Sequence, residues 1–184
     1  EGIARLKDKV DTLIVIPNER LITMTETSST MDQVFRMADD VLQQGVRAIA
    51  EIVTVPGEIN LDFADVKTVM SNAGPAWMGI GHGTGENKAT DAAKEAIDSP
   101  LLEVSIEGAR GVIYNVMGGT DLTLAEVHEA AQIINDVVDP DADIFFGVAN
   151  DSRMENEVTI TLIATGFPSG DGLVNQHSQL KIHE

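Results

Sequence analysis

Cysteine is absent from the 184 residues, which excludes disulfides and thiolate metal ligands from any account of stability or chemistry. Positive charge is scarce: 12 Lys and Arg stand against 30 Asp and Glu, for a net charge of −18. A surface of that sign repels phosphate backbones and anionic headgroups, so neither nucleic acid nor direct membrane contact is expected. No apolar run approaches the ~20 residues of a bilayer span, and no charged-then-apolar signal segment opens the chain. A cytoplasmic protein is therefore expected. Aromatic residues make up only 4%, so each one that occurs needs a reason. An initiator Met is missing as well, and EGIARLKDK reads as the last turns of an amphipathic helix carrying Ile3 and Leu6.

What is present is organised around Ser28 to Met70. Apolar residues recur at Met31, Val34, Phe35, Ala38, Val41, Leu42, Val46, Ile49, Ile52 and Val53. That i, i+3, i+4, i+7 rhythm predicts one long helix with a single buried stripe, N-capped by Ser28, Ser29 or Thr30. Pro56-Gly57 ends it. Asn60, Asp62 and Asp65 follow in NLDFAD, with both acids at the start of a second helix. Two readings stay open at this point. The carboxylates cap the helix and complement its dipole, or they form with Asn60 a polar site that orients water or a cation against a phosphate.

Around this spine the chain alternates strands and helices. VDTLIVIP (Val10 to Pro17) reads as a strand buried on both faces. A doubly buried strand needs neighbours that nothing upstream supplies, so the sequence is expected to begin inside a domain. Pro75 to Gly83, RGVIYNVMGG, ADIFFGVAND and EVTITLIATGF read as further strands. GENKATDAAKEAID and LTLAEVHEAAQIINDVV read as helices, the latter burying Leu122, Leu124, Val127, Ala131, Ile134 and Val138. The expected fold class is α/β (α+β): a long central helix, then a mixed four-stranded sheet with helices packed on one face. The tail PSGDGLVNQHSQLKIHE is polar and reads as a flexible linker.

Most candidate sites outside the acidic loop fail on pattern. Gly79, Gly81, Gly83 and Gly85 lie between a strand and a helix, where phosphates bind. No Lys-Ser/Thr follows them, and Thr84 and Glu86 occupy the third-glycine positions of G-x-G-x-x-G, so neither phosphate motif is met. His82 and His128 read as surface residues, and no spacing suggests a metal site. Phe35 and Asp39 are four apart and share a helix face. On pattern alone Phe35 is core and Asp39 a solvated charge.

VLQQGVRAIAEIVTVPGEINLDFADVKTVMSNAG, together with GENKA, SPLLE, GVIYNVMGGTDLTLAEV, IFFG and VTITLIATGF, resembles FtsZ, the bacterial tubulin-like cell-division GTPase. The resemblance covers roughly residues 1–167, with His82 and Gly83 departing from a turn that is less glycine-rich in the family. It implies the C-terminal half of such a protein, tubulin/FtsZ C-terminal-domain-like in fold. Its parts would be the last strand of a truncated GTP-binding domain (1–27), the central helix (28–54) and the catalytic loop with the following helix (55–72). The C-terminal α/β domain (73–167) and the tail (168–184) would complete it.

The resemblance also implies roles. Asn18, Phe35 and Asp39 would contact guanine, with Phe35 stacked on the ring and Asp39 accepting from its N–H groups. Asn60, Asp62 and Asp65 would be catalytic, completing the GTP site of the next subunit in a head-to-tail filament. The cofactor would be GTP or GDP, with Mg²⁺ as an accompanying ion. The family's G-G-G-T-G-[ST]-G phosphate loop does not occur here, so no nucleotide is expected on this chain alone. Implied partners are further copies of itself and the N-terminal GTP-binding half, at the division ring. The alternative is a free-standing acidic α/β binding module in which Asp62 and Asp65 only cap.

Overall fold

The computed structural model describes residues 2–23, 29–54, 59 and 62–167. Asn60, the Pro56-Gly57 turn and the tail from 168 lie outside the described residues. In chain order the elements are α1 (Gly2–Lys7), β1 (Thr12–Ile14), α2 (Asn18–Thr23), α3 (Met31–Thr54), α4 (Phe63–Met70) and β2 (Gly74–Thr84). Then come α5 (Lys88–Ile97), a short 3₁₀ turn (Ile106–Gly108), β3 (Gly111–Gly118), α6 (Leu124–Val137), β4 (Asp143–Asn150) and β5 (Glu157–Thr165).

The sheet runs in the order β1-β2-β5-β3-β4. Crossover through α6 makes β3 and β4 parallel neighbours, as a strand–helix–strand connection requires. The connection from β4 to β5 is short, yet β5 does not pair with β4. It inserts antiparallel between β2 and β3, where both of its backbone edges find hydrogen-bond partners. Val158, Ile160, Leu162 and Ala164 point into the main core with Val112, Tyr114 and Val116 of β3. Ile163 and Ile113 point the other way. Each fully buried aliphatic chain of this size contributes roughly 1.5–3 kcal/mol.

The mixed four-stranded sheet expected from sequence is β2-β5-β3-β4, and β1 adds a fifth strand at one edge, parallel to β2. Here the expectation for Val10 to Pro17 is corrected. Only Thr12–Ile14 are strand, all half-buried, and Val10 is exposed. Among the described residues this strand pairs with the start of β2, and Asn18 already opens α2.

Helices cover both faces, not one. On one face α5 and α6 bury Ala89, Ala92, Ala93 and Ala96 with Val127, Ala130 and Ile134. On the other, α3 contributes Val41 to a cluster with Met78, Ile80 and Ile163, and α4 sets Val66 and Val69 against Ile113. A sheet whose central strands are apolar on both sides cannot leave either side to water.

Two stripe assignments also change. In α3 the buried row is Val41 and Ala48, flanked by half-buried Met37, Ala38 and Ile49, while Met31, Phe35, Leu42 and Val46 are exposed. The exposed row lies about 120–140° around the helix from the buried one. A single apolar stripe in the sequence is thus two, and only one meets the sheet. In α6, Leu124 is exposed because it is the first helical residue, ahead of the turn that reaches the core.

The few aromatics have definable places. Trp77 meets Phe167 edge-on at 4.7 Å, and Tyr114 stacks on Phe146 at 5.3 Å.

Candidate functional site

The acidic loop is built from the N-terminus of α4. Asp62 has extended backbone (φ −74°, ψ 144°), and its Oδ1 accepts from the Ala64 N–H at 3.1 Å. Asp65 reaches back, its Oδ2 accepting from the Asp62 N–H at 3.4 Å. The two carboxylates form a complete capping box. Capping, the blander reading of this pair, is therefore real geometry. It also leaves acceptor capacity unused, because each carboxylate has two oxygens and about four lone-pair sites. Asp62 is exposed and Asp65 half-buried, with the Phe63 ring exposed between them.

Both ends of this segment are tied into the fold. Ile59 pairs with Val148 at the outer edge of β4, its carbonyl accepting the Val148 N–H at 3.0 Å. At the far end of α4, Thr165 Oγ1 donates to the Val69 carbonyl at 3.1 Å, and Thr12 Oγ1 donates to the Met70 carbonyl. Asp11 then accepts the Asn72 N–H on its side chain at 3.3 Å and the Gly74 N–H on its carbonyl at 2.9 Å.

The residues expected from the resemblance to contact guanine lie elsewhere. Asn18 starts α2 and is exposed; Phe35 is 63% exposed, and Asp39 stands exposed one turn further along α3. Phe35 is thus not core, contrary to the pattern-only reading. An open ring face beside an exposed carboxylate offers a stacking platform and two acceptors, which would suit a planar ligand edge carrying two donors. Asp39 lies fifteen residues before the end of α3, which is roughly 22 Å of helix. The structure therefore brings Phe35 and Asp39 together on α3, and separately Asp62 and Asp65 at the start of α4.

The glycine row has a physical account that spacing alone did not provide. Gly79, Gly81 and Gly83 alternate along β2 on the face that meets α5. A Cβ there would fall 2.2 Å from the Ala96 carbonyl oxygen, 2.0 Å from that of Ala92 and 1.8 Å from that of Lys88. Bare glycine on the strand and alanine on the helix let the two backbones approach. Gly83, a departure from the family's turn, belongs to this row. His82 points to the opposite side, exposed, with Nδ1 3.0 Å from Thr159 Oγ1 and its backbone N–H donating to Glu95 at 2.8 Å. His128 is exposed on α6.

One polar cluster escaped the sequence reading, because its members are 33 to 38 positions apart. Lys88, buried at the start of α5, forms ion pairs with Asp121 and Glu126. The hydrogen bond to Asp121 raises the Lys88 pKa against the opposing effect of burial. The same bond lowers that of Asp121. Burial pushes Glu126 up, but hydrogen bonds from Thr123 and the charge of Lys88 outweigh it and leave the carboxyl below its ordinary value. Asp121 also accepts the Asn156 N–H at 3.2 Å, so the cluster ties three loops at one end of the sheet. Among the described residues no group of three or more His, Asp or Glu gathers as a metal site.

A mixed sheet with helices on both faces, hung on a long helix whose far end leads into an acidic cap, defines an α/β C-terminal domain with its connecting spine. The model of the FtsZ family, C-terminal domain, matches residues 74–168, more than half of the chain. The chain belongs to the FtsZ family. It is 44% identical to an FtsZ dimer from M. jannaschii without ligand, with a TM-score of 0.85, covering 90% of this chain and 48% of that one. A tryptophan-to-tyrosine mutant of FtsZ from M. jannaschii is 43% identical, with TM-score 0.85 and coverage of 90% and 50%. The fold is shared with CetZ2 from Haloferax volcanii in a GTPγS-bound protofilament, at 11% identity and TM-score 0.67, covering 92% and 50%. The chain thus spans about half the length of the solved relatives it matches.

Proposed function

We propose that this chain is the C-terminal part of a filament-forming GTPase of cell division, whose acidic loop completes the GTP-hydrolysis site of the adjacent subunit. One observation carries this reading: Phe35 and Asp39 stand early on α3, with roughly 22 Å of helix between Asp39 and its end, and the acidic cap of α4 follows in the chain only after that end. A single nucleotide cannot touch both in one subunit. Head-to-tail stacking puts the cap of one copy over the nucleotide of the next, a heterologous contact that propagates. The relatives determined as a dimer and as a GTPγS-bound protofilament support self-association.

In this reading Asn18, Phe35 and Asp39 hold the base of GTP or GDP, and Asn60, Asp62 and Asp65 act on the neighbour's γ-phosphate. The acids would polarise the attacking water or hold a hydrated Mg²⁺. The phosphates rest on the N-terminal half, for which exposed Leu42 and Val46 of α3 offer apolar surface. No described helix is long and apolar enough to cross a membrane, and the proposed place of action is the cytoplasmic division ring. The complete capping box favours a second reading, an acidic α/β binding module in which Asp62 and Asp65 only cap.

Asp62→Ala and Asp65→Ala in the full-length protein separate the two. A water-orienting role predicts turnover lower by ~10²- to 10⁴-fold with GTP affinity retained. Capping alone predicts a loss of about 1 kcal/mol of stability and little change in rate. Near-normal turnover by a folded Asp62→Ala protein would decide for the binding module.

A further inference from the structure

We propose that the backbone bridge between Ile59 and Val148 is a positioning clamp for the acidic loop, an inference that rests on the proposed GTPase role. The argument begins with parity in β4. Asp143 and Asp151 give their N–H groups to the Arg110 and Gly118 carbonyls, both at 2.9 Å, so odd-numbered residues face β3. Even-numbered residues, Ile144, Phe146 and Val148, therefore turn their N–H groups to the outer edge. Among the described residues Ile144 and Phe146 meet no backbone partner there, and Val148 meets Ile59.

The bridge matters because little else holds the front of α4. Asp62, Phe63 and Ala64 are all exposed, and the first buried anchor of the helix is Val66. Upstream, Ile59 is the nearest described residue fixed to the body of the domain. Its side chain packs against the main core where Val148 is buried, and its carbonyl takes the 3.0 Å bond. Three chain steps of at most ~3.6 Å each lead from it to Asp62. Releasing that end lets the first turn of α4 and its carboxylates wander, while the nucleotide pocket and the core remain as they were. Displacing a catalytic group by about 1 Å costs on the order of 10²-fold in rate.

Proline tests this at one atom. Val148→Pro deletes the donating N–H at an outward-facing edge position and leaves the bonds to β3 in place. In the full-length protein it should lower kcat by ~10- to 100-fold, with KM for GTP and sedimentable polymer within about twofold of the parent. Val148→Ala, which keeps the N–H, and Ile144→Pro, which puts the same ring at an outward N–H with no backbone partner among the described residues, should both stay within about threefold in kcat. Ile59→Gly keeps the carbonyl but loses the side-chain anchor, and should lower kcat at least about fivefold at unchanged KM. It provides the decision if Val148→Pro does not fold. A folded Val148→Pro protein with parental kcat overturns the clamp, as does an Ile144→Pro protein equally impaired, or, where Val148→Pro is unfolded, an Ile59→Gly protein with parental kcat. Asp62→Ala assayed beside them separates the two levels: impaired Asp62→Ala with normal Val148→Pro removes the clamp alone, and normal Asp62→Ala removes the GTPase role and the clamp together.

Discussion

Gly81→Ala tests what the glycine row of β2 is for. The added Cβ would sit 2.0 Å from the Ala92 carbonyl oxygen and 2.3 Å from the Ala96 amide nitrogen. Both obstacles are helix backbone, with no flexible side chain to swing aside, and Ala92, Ala93 and Ala96 are already fully buried. Helix α5 must withdraw from the sheet by more than an ångström, loosening its contacts with β2, β5 and α6. Overpacking of this kind costs about 1–3 kcal/mol or more. The lower entropy of the unfolded alanine chain offsets roughly 0.4–1 kcal/mol. A net loss of about 2 kcal/mol lowers Tm by about 4–8 °C for a chain of this length. Gly85→Ala is the matched control: Gly85 has φ +80° with nothing within 4 Å of a Cβ, so its cost is left-handed strain alone, roughly 1 kcal/mol. Urea and thermal unfolding followed by circular dichroism give both values, and GTP titration of the full-length protein completes the set. A Gly81→Ala chain as stable as its parent, with weakened nucleotide binding, would refute packing and restore a phosphate role for the row.

Three further outcomes follow from the same coordinates. The Tyr114 hydroxyl is buried with no hydrogen-bond partner among the described residues, and burial raises its pKa well above the ordinary tyrosine value. Tyr114→Phe should therefore be neutral or stabilising by up to about 1 kcal/mol, and a clear loss in the urea midpoint would show a missed partner. Asp121 and Glu126 have lowered pKa values in the fold, so the folded state binds fewer protons and their contribution is present above the ordinary carboxylate range. It is lost as pH falls below about 4; Lys88→Met should lower Tm at pH 7 and flatten that acid limb, whereas an unchanged limb contradicts the ion-pair account. Finally, a net charge of −18 destabilises the compact state by self-repulsion. Tm should rise between low salt and 1 M salt as the Debye length shrinks from about 30 Å to 3 Å, and a flat profile would mean that the charges are already locally compensated.

Local pattern alone determined a good deal of this protein. Helical periodicity located α3, α5 and α6, and branched apolar runs located β2 to β5, because amphipathic elements reveal themselves within one window of sequence. The acidic pair at the start of α4 was legible for the same reason, as a capping box is contained in four residues. The words NLDFADVKTVMSNAG and IATGF carried the family. Tertiary structure decided what depends on neighbours distant in the chain. A stripe on α3 cannot show which part of it meets the sheet, so exposed Phe35 and buried Val41 looked alike. Periodicity could not indicate that β5 would insert between β2 and β3, since the strands that meet its two edges are distant in the chain. The glycines of β2 met no phosphate motif, and only the opposing alanines of α5 explained them as a close backbone approach. Lys88, Asp121 and Glu126 meet only because three loops converge at one end of the sheet, and Ile59 reaches Val148 only because β4 is an edge strand. Burial and edge position are properties of the assembled sheet, and no single segment contains them.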